Sequence, residues 1–266
     1  MIETEQFEDV TCIRMSREVE GRALYWTGAY LVDGLLIDTG CSYTAGELVA
    51  FLRNRKLELV VNTHFHEDHV GANRLIKETY GVDVLAHPDS VPRINEVPEL
   101  RPYQEFVWGY PDPVEVGILG EVVETGKHRF DVLETGGHSV GNVALVERER
   151  GWCFPGDIFI TEKPKVIRAD EDVMGLVESM KMLAGLPMER CVLFASMGKI
   201  IPDGRGALLA CVSYLEELAG EVKTLDARGL NAEQIRERLF GEGSSLAGLT
   251  GGHFSSDNMI TSILSE

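Results

Sequence analysis

The chain has 266 residues, which allows one large domain or two small ones with a substantial core. Its apolar fraction of 44% and charged fraction of 26% are ordinary for a globular protein and argue against disorder over most of its length. The net charge of −18, from 43 acidic and 25 basic residues, argues against nucleic-acid binding, because that binding depends on clustered Lys and Arg.

The first third of the chain has the pattern of short strands and helices in alternation. Asp33-Gly34 separates two apolar runs between residues 23 and 38 and predicts a hairpin, because glycine accepts the positive φ of a tight turn. Gly81 stands in a helix-stop position after a run with helical spacing. The predicted helices are 43–54 and 71–80, and the predicted strands are 57–61 and 82–86.

The rest of the chain begins with an excursion around residues 88–118, whose many prolines and aromatics exclude a long regular element. Asn231 and either Ser255 or Ser256 are predicted helix caps. Strands are predicted at 121–124, 129–133, 143–146, 152–154 and 191–195, and helices at 172–183, 207–218, 231–240 and from 255 or 256 to 264. We therefore expect one domain over 1–266 with a helical C-terminal segment around 205–266, of class α/β or α+β.

The five cysteines are widely scattered and form no CxxC pair, which excludes a zinc ribbon or a thioredoxin-like motif. Cys153 and Cys191 lie in apolar runs and are expected to be small buried hydrophobes. The first ten residues lack both a basic region and an apolar stretch, and no apolar run is long enough to span a membrane. We therefore expect a cytoplasmic protein with reduced thiols.

The chemistry of the chain is concentrated in one run, which directly follows a predicted strand. Residues 63–71 read Thr-His-Phe-His-Glu-Asp-His-Val-Gly. In an extended backbone His64 and His66 point the same way, and after a turn Asp68 and His69 can reach a second point nearby. Imidazole and carboxylate groups are the ligands expected for Zn²⁺, with iron or manganese as alternatives.

This run resembles the signature of the metallo-β-lactamase superfamily, in the HxHxDH form of its two-metal, hydroxyacylglutathione hydrolase-like members. Three further segments follow the family order. Asp38-Thr39-Gly40 resembles the aspartate turn that supports the metal ligands, residues 137–142 (Gly-His-Ser-Val-Gly-Asn) resemble the GHS/T motif, and Gly156-Asp157 resembles the turn with the metal-bridging aspartate. The resemblance implies a four-layer αββα sandwich with the site at one edge between the sheets.

The resemblance also implies a set of ligands. The first metal would take His64, His66 and His138, the second would take Asp68 and His69, and Asp157 would lie between them. The family usually completes the second site with a histidine after a strand, where this chain has Met197. Because a thioether is a weak ligand for such cations, three interpretations stay open: a weak or absent second metal, His253 as the missing imidazole, or water in that position.

The expected reaction is hydrolysis of an ester, thioester, lactone or phosphoester of a small molecule. A metal would make water reactive at neutral pH, and Asp68 is the expected catalytic proton carrier. We expect no nucleic-acid or membrane partner. The C-terminal helix after His253 is expected to cover either the pocket or the partner copy in a homodimer.

The same residues are compatible with other functions. A single iron held by His64, His138 and Asp157 would resemble the persulfide dioxygenases of the superfamily. A nuclease is disfavoured by composition, and an antibiotic-hydrolysing role by the expected cytoplasmic location. A degenerate member that binds metal without turnover is supported only by Met197.

Several nearby residues are not expected to be metal ligands. Glu67 is not a family ligand and is expected to point outward into solvent, and His128 beside a turn is expected to face solvent as well. His87 is expected to stabilise a loop. Arg168 and Lys199 could bind an anionic group of a substrate, but each is expected to be a surface charge. The aromatic segment 103–110 is a candidate for substrate contact.

Overall fold

The computed structural model describes residues 1–241 and 244–265. These residues form two compact units. The first comprises Met1–Glu134, Val140–Asp157 and Pro187–Asp203, and the second comprises Thr135–Ser139, Ile158–Leu186 and Gly204–Glu266 so far as it is described. The expectation of a single domain over 1–266 stays a prediction.

The strands are β1 Ile2–Phe7, β2 Val10–Met15, β3 Glu18–Val19, β4 Arg22–Ala23, β5 Thr27–Val32, β6 Leu35–Ile37, β7 Leu59–Val61, β8 Asp83–Ala86, β9 Gly117–Ile118, β10 Val122–Glu124, β11 Arg129–Glu134, β12 Val143–Glu147, β13 Trp152–Phe154, β14 Ile167–Arg168, β15 Val192–Ala195, β16 Lys199–Ile201 and β17 Phe254–Ser255. The helices are α1 Ala45–Leu52, α2 Asn73–Tyr80, α3 Val91–Ile94, α4 Pro102–Val107, α5 Val173–Ala184, α6 Gly204–Ala227, α7 Ala232–Phe240, α8 Ser245–Leu249 and α9 Ser256–Leu264. Ser42–Thr44 and Gly156–Ile158 are single 3-10 turns.

The first unit is built on two sheets. One has the order β1-β2-β5-β6-β7-β8-β9, and the other has the order β10-β11-β12-β13-β15-β16. In the first sheet the pairs from β6 to β9 are parallel, and in the second only β13 and β15 are parallel. The β5–β6 hairpin turns at Asp33-Gly34, where both residues have positive φ, as predicted.

Alternation along the strands gives the first sheet two buried faces. One face contributes Tyr30, Val32 and Ile37 to a core shared with Phe130, Trp152 and Phe154 of the second sheet. The opposite face contributes residues such as Leu31 and Leu36 to a core with Leu48 and Leu52 of α1 and Ile76 of α2. Successive side chains of each strand point to opposite faces and fill the two core layers, which fixes the register of every central strand.

Most predicted elements are confirmed within a few residues, including α7 with its Asn231 cap and α9 with its Ser255 cap. The prediction missed β1 and β2. β1 is a largely exposed edge strand that carries Glu3 and Glu5, whereas β2 is mostly buried. The prediction also ended α6 at residue 218, whereas the helix continues to Ala227 with Val222 and Leu225 buried. In the excursion, α3 and α4 are short helices, as the prolines require.

The second unit contains the helices α5 to α9 and the two-stranded pair β14–β17, in which Arg168 faces Phe254. Asp172 caps α5 through its side chain, which accepts a hydrogen bond from the backbone of Met174. Among the helices of the described residues, none is both long and apolar enough to cross a membrane. Cys153 and Cys191 are buried, as predicted.

Candidate metal centre

The metal-binding run begins where β7 ends, beside the start of β12. The backbone N–H of Val143 donates to the carbonyl of Thr63 at 2.9 Å, so the ends of the two strands meet. Gly156 lies against Thr63 with a φ of +58°, and a Cβ at Gly156 would lie only 3.0 Å from Thr63 Cβ. This close approach requires glycine and brings the following residue, Asp157, to the same edge of the sandwich.

Asp38 organises the run through three hydrogen bonds to its carboxylate. Oδ1 accepts from the backbone N–H of Thr63 at 2.8 Å, and Oδ2 accepts from Thr63 Oγ1 at 2.8 Å. His69 Nδ1 also lies 2.8 Å from Asp38 Oδ2. The predicted aspartate turn therefore lies where the resemblance implied, in contact with the motif.

These hydrogen bonds also fix which nitrogen of each imidazole faces the site. Thr63 Oγ1 donates its proton to Asp38, so it accepts from His64 Nδ1, which lies 3.0 Å away. His69 likewise donates from Nδ1 to Asp38. The Nε2 atoms of His64 and His69 are thereby left as the atoms that would face a metal.

His64, His69 and Asp157 each place one ligand atom within 4.8 Å of the others. His69 Nε2 lies 3.2 Å from Asp157 Oδ1 and 3.8 Å from Asp68 Oδ2. The ring of His66 is buried with its centroid 4.6 Å from that of His64. Five of the seven predicted site residues therefore converge in the first unit.

The charges at this cluster fit a cation. The pKa of Asp68 is raised from 3.8 to about 7, chiefly by burial and also by the neighbouring carboxylates of Asp157 and Glu67, against the opposing effect of His69. Burial disfavours the charged form of His69, but the carboxylates of Asp38, Asp157 and Asp68 outweigh it and raise its pKa well above 6.5. A divalent cation would neutralise the buried acids, so the residues present fit the metal.

The other two predicted ligands lie in the second unit. His138 is buried, and its Nδ1 lies 2.6 Å from Glu171 Oε1, while Glu171 Oε2 accepts from the backbone N–H of Arg168 at 2.7 Å. His253 is also buried, with Nε2 3.9 Å from Asp170 Oδ1. The roles of His138 and His253 as ligands stay predictions.

Glu171 is a functional candidate that the sequence did not reveal. A carboxylate on Nδ1 directs the Nε2 of a ligating histidine toward the metal and increases its basicity. A contact between Gly137 and the start of α5 brings the two segments together, because the N–H of Asp172 donates to Gly137 O at 2.8 Å. No spacing rule links residue 138 to residue 171, so only the tertiary structure could identify this pair.

Three expectations about nearby polar residues were wrong. Glu67 is 4% exposed and accepts a 2.7 Å hydrogen bond from Gln104 Nε2, which satisfies its buried carboxylate. His128 is 6% exposed, with Nδ1 3.3 Å from Glu147 and its ring centroid 5.0 Å from that of Trp152. Arg168 is buried as well, and it pairs with Asp170 at 3.1 Å. In each case a polar partner compensates the burial. The partner is distant in the chain for Glu67 and His128 but only two residues away for Arg168.

Met197 lies in the turn between β15 and β16 and is half-buried. The Ser196 carbonyl at this turn accepts from the backbone N–H of Gly28, near the start of β5. His87 contacts Glu134 and accepts from the backbone N–H of Asp89, in agreement with a loop-stabilising role.

Comparison with known proteins identifies the family of this site. The sequence profile of the metallo-beta-lactamase superfamily matches residues 29–195, which is more than half of the chain and includes the whole motif run. The chain belongs to the metallo-β-lactamase superfamily. Its mixed α/β fold is that of the superfamily, as predicted, and the protein is a metallohydrolase whose His-rich centre fits a divalent metal.

Individual members of the superfamily are distant relatives. A probable metallo-hydrolase of Methanocaldococcus jannaschii is 28% identical over 186 residues, covering 66% of this chain and 89% of that protein. A hydroxyacylglutathione hydrolase of Chelativorans sp. is 28% identical over 174 residues, covering 64% of this chain and 61% of that enzyme. A beta-lactamase domain protein from Burkholderia ambifaria matches with a TM-score of 0.69 at 16% identity, covering 100% of this chain and 84% of that chain, which shows the fold alone.

Gln104 lies on α4, so its buried hydrogen bond to Glu67 should make metal affinity depend on this helix. We expect Gln104→Leu to weaken metal binding about 10- to 100-fold, because Glu67, next to the predicted ligand Asp68, loses the donor that holds it. The double variant Glu67→Gln/Gln104→Glu exchanges donor and acceptor and leaves an acceptor for the backbone N–H of Arg101, which now donates to Gln104 Oε1 at 2.9 Å. Chelator competition should show restored affinity in the double variant.

The matched control is Glu105→Gln, which changes an exposed side chain on the same helix. Its metal affinity should equal that of the parent protein. Equal affinity in Gln104→Leu and the parent would contradict a role for this hydrogen bond in positioning the motif.

Proposed function

We propose that the protein is a metal-dependent hydrolase of a small-molecule ester-type bond, with a thioester as the first candidate. The convergence of His64, His69 and Asp157 within 4.8 Å carries this proposal. The hydroxyacylglutathione hydrolase name of the Chelativorans relative favours thioesters over lactones and phosphoesters. We propose zinc as the metal, because two imidazoles and a carboxylate suit it, with iron and manganese as the alternatives.

The chemistry would divide between the metal and the chain. A bound divalent metal supplies reactive water at neutral pH and polarises the scissile carbonyl. Asp38 holds His69 directly and His64 through Thr63, so both rings keep their orientation during turnover. His66 completes the part of the proposed first set of ligands that lies in the first unit.

Asp68 is the proposed proton carrier. Its Oδ2 lies 3.8 Å from His69 Nε2, beside the position where the reacting groups would meet. From there it can accept a proton from the nucleophile and deliver it to the leaving thiol or alcohol. Because the chain is acidic and its proposed substrate is small, we propose no nucleic-acid or membrane partner.

Elemental analysis of protein purified without added metal tests the proposal, together with thioester, lactone and phosphodiester substrates. We expect at least one transition metal per chain, zinc foremost, and fastest turnover with a thioester. One iron per chain with oxygen uptake on a persulfide would instead support the dioxygenase function. Metal without turnover of any substrate in the panel would support a degenerate binding protein.

Met197→His tests the second metal position in the same assay. An imidazole at residue 197 should raise the affinity of the second position, because it is a better ligand for these cations than a thioether. Unchanged stoichiometry and affinity would contradict our assignment of residue 197 to that position and would favour His253 or water there.

A further inference from the structure

Arg17 lies between two aromatic rings in the first unit. Its guanidinium carbon is 3.9 Å from the ring centroid of Tyr43 and 4.8 Å from that of Phe106. Arg17 Nη1 also donates to the carbonyl oxygen of Phe106. Stacking on rings and one hydrogen bond fix the guanidinium plane while leaving other N–H groups at its edge.

No carboxylate of the described residues lies within ion-pair distance of Arg17, although the chain has 43 acidic residues. Several arginines of the first unit are paired with carboxylates, such as Arg14 with Glu3 and Arg190 with Glu8. Arg17 is half-buried, so its charge is partly desolvated as well. A fixed, unneutralised guanidinium matches the geometry of a carboxylate from outside the chain.

Exposed aromatic side chains surround this arginine. Tyr43 is 45% exposed and Phe106 is 51% exposed. Tyr25 is also exposed and contacts the buried Trp108 edge-on, at 5.5 Å between ring centroids. Large apolar groups exposed together are typical of ligand sites, so the patch suits a ligand with an apolar part beside its anion.

Tyr43 and Phe106 are each connected to the segment of the metal centre through neighbouring residues. Tyr43 lies three residues after Gly40, the last residue of the Asp38 turn, and the backbone N–H of Gly71 donates to Gly40 O at 2.8 Å. Phe106 lies two residues after Gln104, whose side chain donates to Glu67. The patch is therefore connected on two sides to the segment that carries Asp68 and His69.

We propose that Arg17, Tyr43 and Phe106 form a substrate subsite that binds a carboxylate on the leaving group of an acidic thioester. The guanidinium edge binds the carboxylate, and the aromatic rings contact the apolar part of the same molecule. This proposal rests on the proposed hydrolase function and names its substrate class: thioesters whose thiol portion carries a negative charge.

A pair of substrates that differ only in charge tests the subsite. The probes are acetyl thioesters of 3-mercaptopropionate and of its neutral amide. We expect Arg17→Gln to raise KM for the carboxylate substrate about 10- to 100-fold, the equivalent of a lost hydrogen bond between charged groups. KM for the amide and kcat for both substrates should stay unchanged. Arg17→Lys, which retains the charge but not the planar fork, should give an intermediate KM.

Arg55→Gln is the matched control. The Arg55 guanidinium carbon lies 3.6 Å from the Phe51 ring centroid, and Arg55 donates to the Phe51 carbonyl, but Arg55 follows α1 and is not one of the three residues of the proposed subsite. This control should leave both KM values unchanged. An equal rise in KM for the two substrates in Arg17→Gln, or no rise in either, would overturn the subsite.

Calorimetric titration of metal-free protein with 3-phenylpropanoate separates the subsite from the hydrolase function. We expect binding to the parent protein and to Arg55→Gln, and at least about tenfold weaker binding to Arg17→Gln. Absence of binding to the parent would reject the subsite while the hydrolase proposal stands. Binding without turnover of any ester would reject the hydrolase proposal alone.

Discussion

Replacing Asp157 by alanine is expected to abolish metal-dependent turnover. The carboxylate lies 3.2 Å from His69 Nε2 and belongs to the cluster with His64, so its loss removes an oxygen ligand shared by the proposed metal positions. We expect kcat/KM to fall on the order of a thousandfold, because a bound metal supplies several kcal/mol of transition-state stabilisation. His66→Ala should have an effect of the same order.

The measurement pairs steady-state kinetics with metal content and with the melting temperature in the presence and absence of zinc. Zinc should raise the melting temperature of the parent protein but leave that of Asp157→Ala nearly unchanged, because only a bound ligand stabilises the folded state. Asp226→Ala, at an exposed position of α6, serves as the control. Full activity in Asp157→Ala would remove this residue from the site.

Asp38→Asn is expected to cost 10- to 100-fold in metal affinity, on the order found for groups that orient metal ligands. The carboxylate accepts from Thr63 at both oxygens and from His69 at one. An amide has an NH2 group in place of one carboxylate oxygen. That donor would face the N–H and O–H donors of Thr63 and His69, so the rings of His64 and His69 would lose their support. We also expect the free energy of unfolding to fall by about 1 to 3 kcal/mol, since buried polar groups lose partners.

The backbone does not confound this variant, because asparagine tolerates the positive φ of 60° at Asp38. Asp33→Asn is a matched control at another positive φ, 45°, in the β5–β6 turn. It should leave metal affinity unchanged, even if stability falls through its ion pair with Lys56. Chelator competition and chemical denaturation on both variants make the comparison. Parent-like metal affinity in Asp38→Asn would contradict its role as an anchor.

Elements governed by local chemistry could be predicted closely from the sequence. The Asp33-Gly34 turn and the Asn231 and Ser255 caps each depend on a few adjacent residues, and each lies where the pattern placed it. The edge strand β1 was missed because its exposed, acidic sequence differs little from that of a loop, and the mostly buried β2 was missed with it.

Burial of polar groups was the least predictable property. Glu67 and His128 were expected in solvent, yet both are buried. Their partners, Gln104 and Glu147, lie 37 and 19 residues away in the chain. A polar residue is exposed or buried according to whether a partner from elsewhere satisfies it, and no local pattern contains that information.

The sequence by itself determined the type of chemistry, because three histidines and an aspartate within six residues are metal donors wherever they are placed. It also determined the candidate aspartates at 38 and 157 through their motifs. Only the tertiary structure decided that Asp38 anchors two of the rings, that Glu171 contacts His138, and that Arg17 stacks between Tyr43 and Phe106. Each of these pairs joins distant segments, and side-chain contacts of that kind depend on how the chain folds rather than on the spacing of its residues.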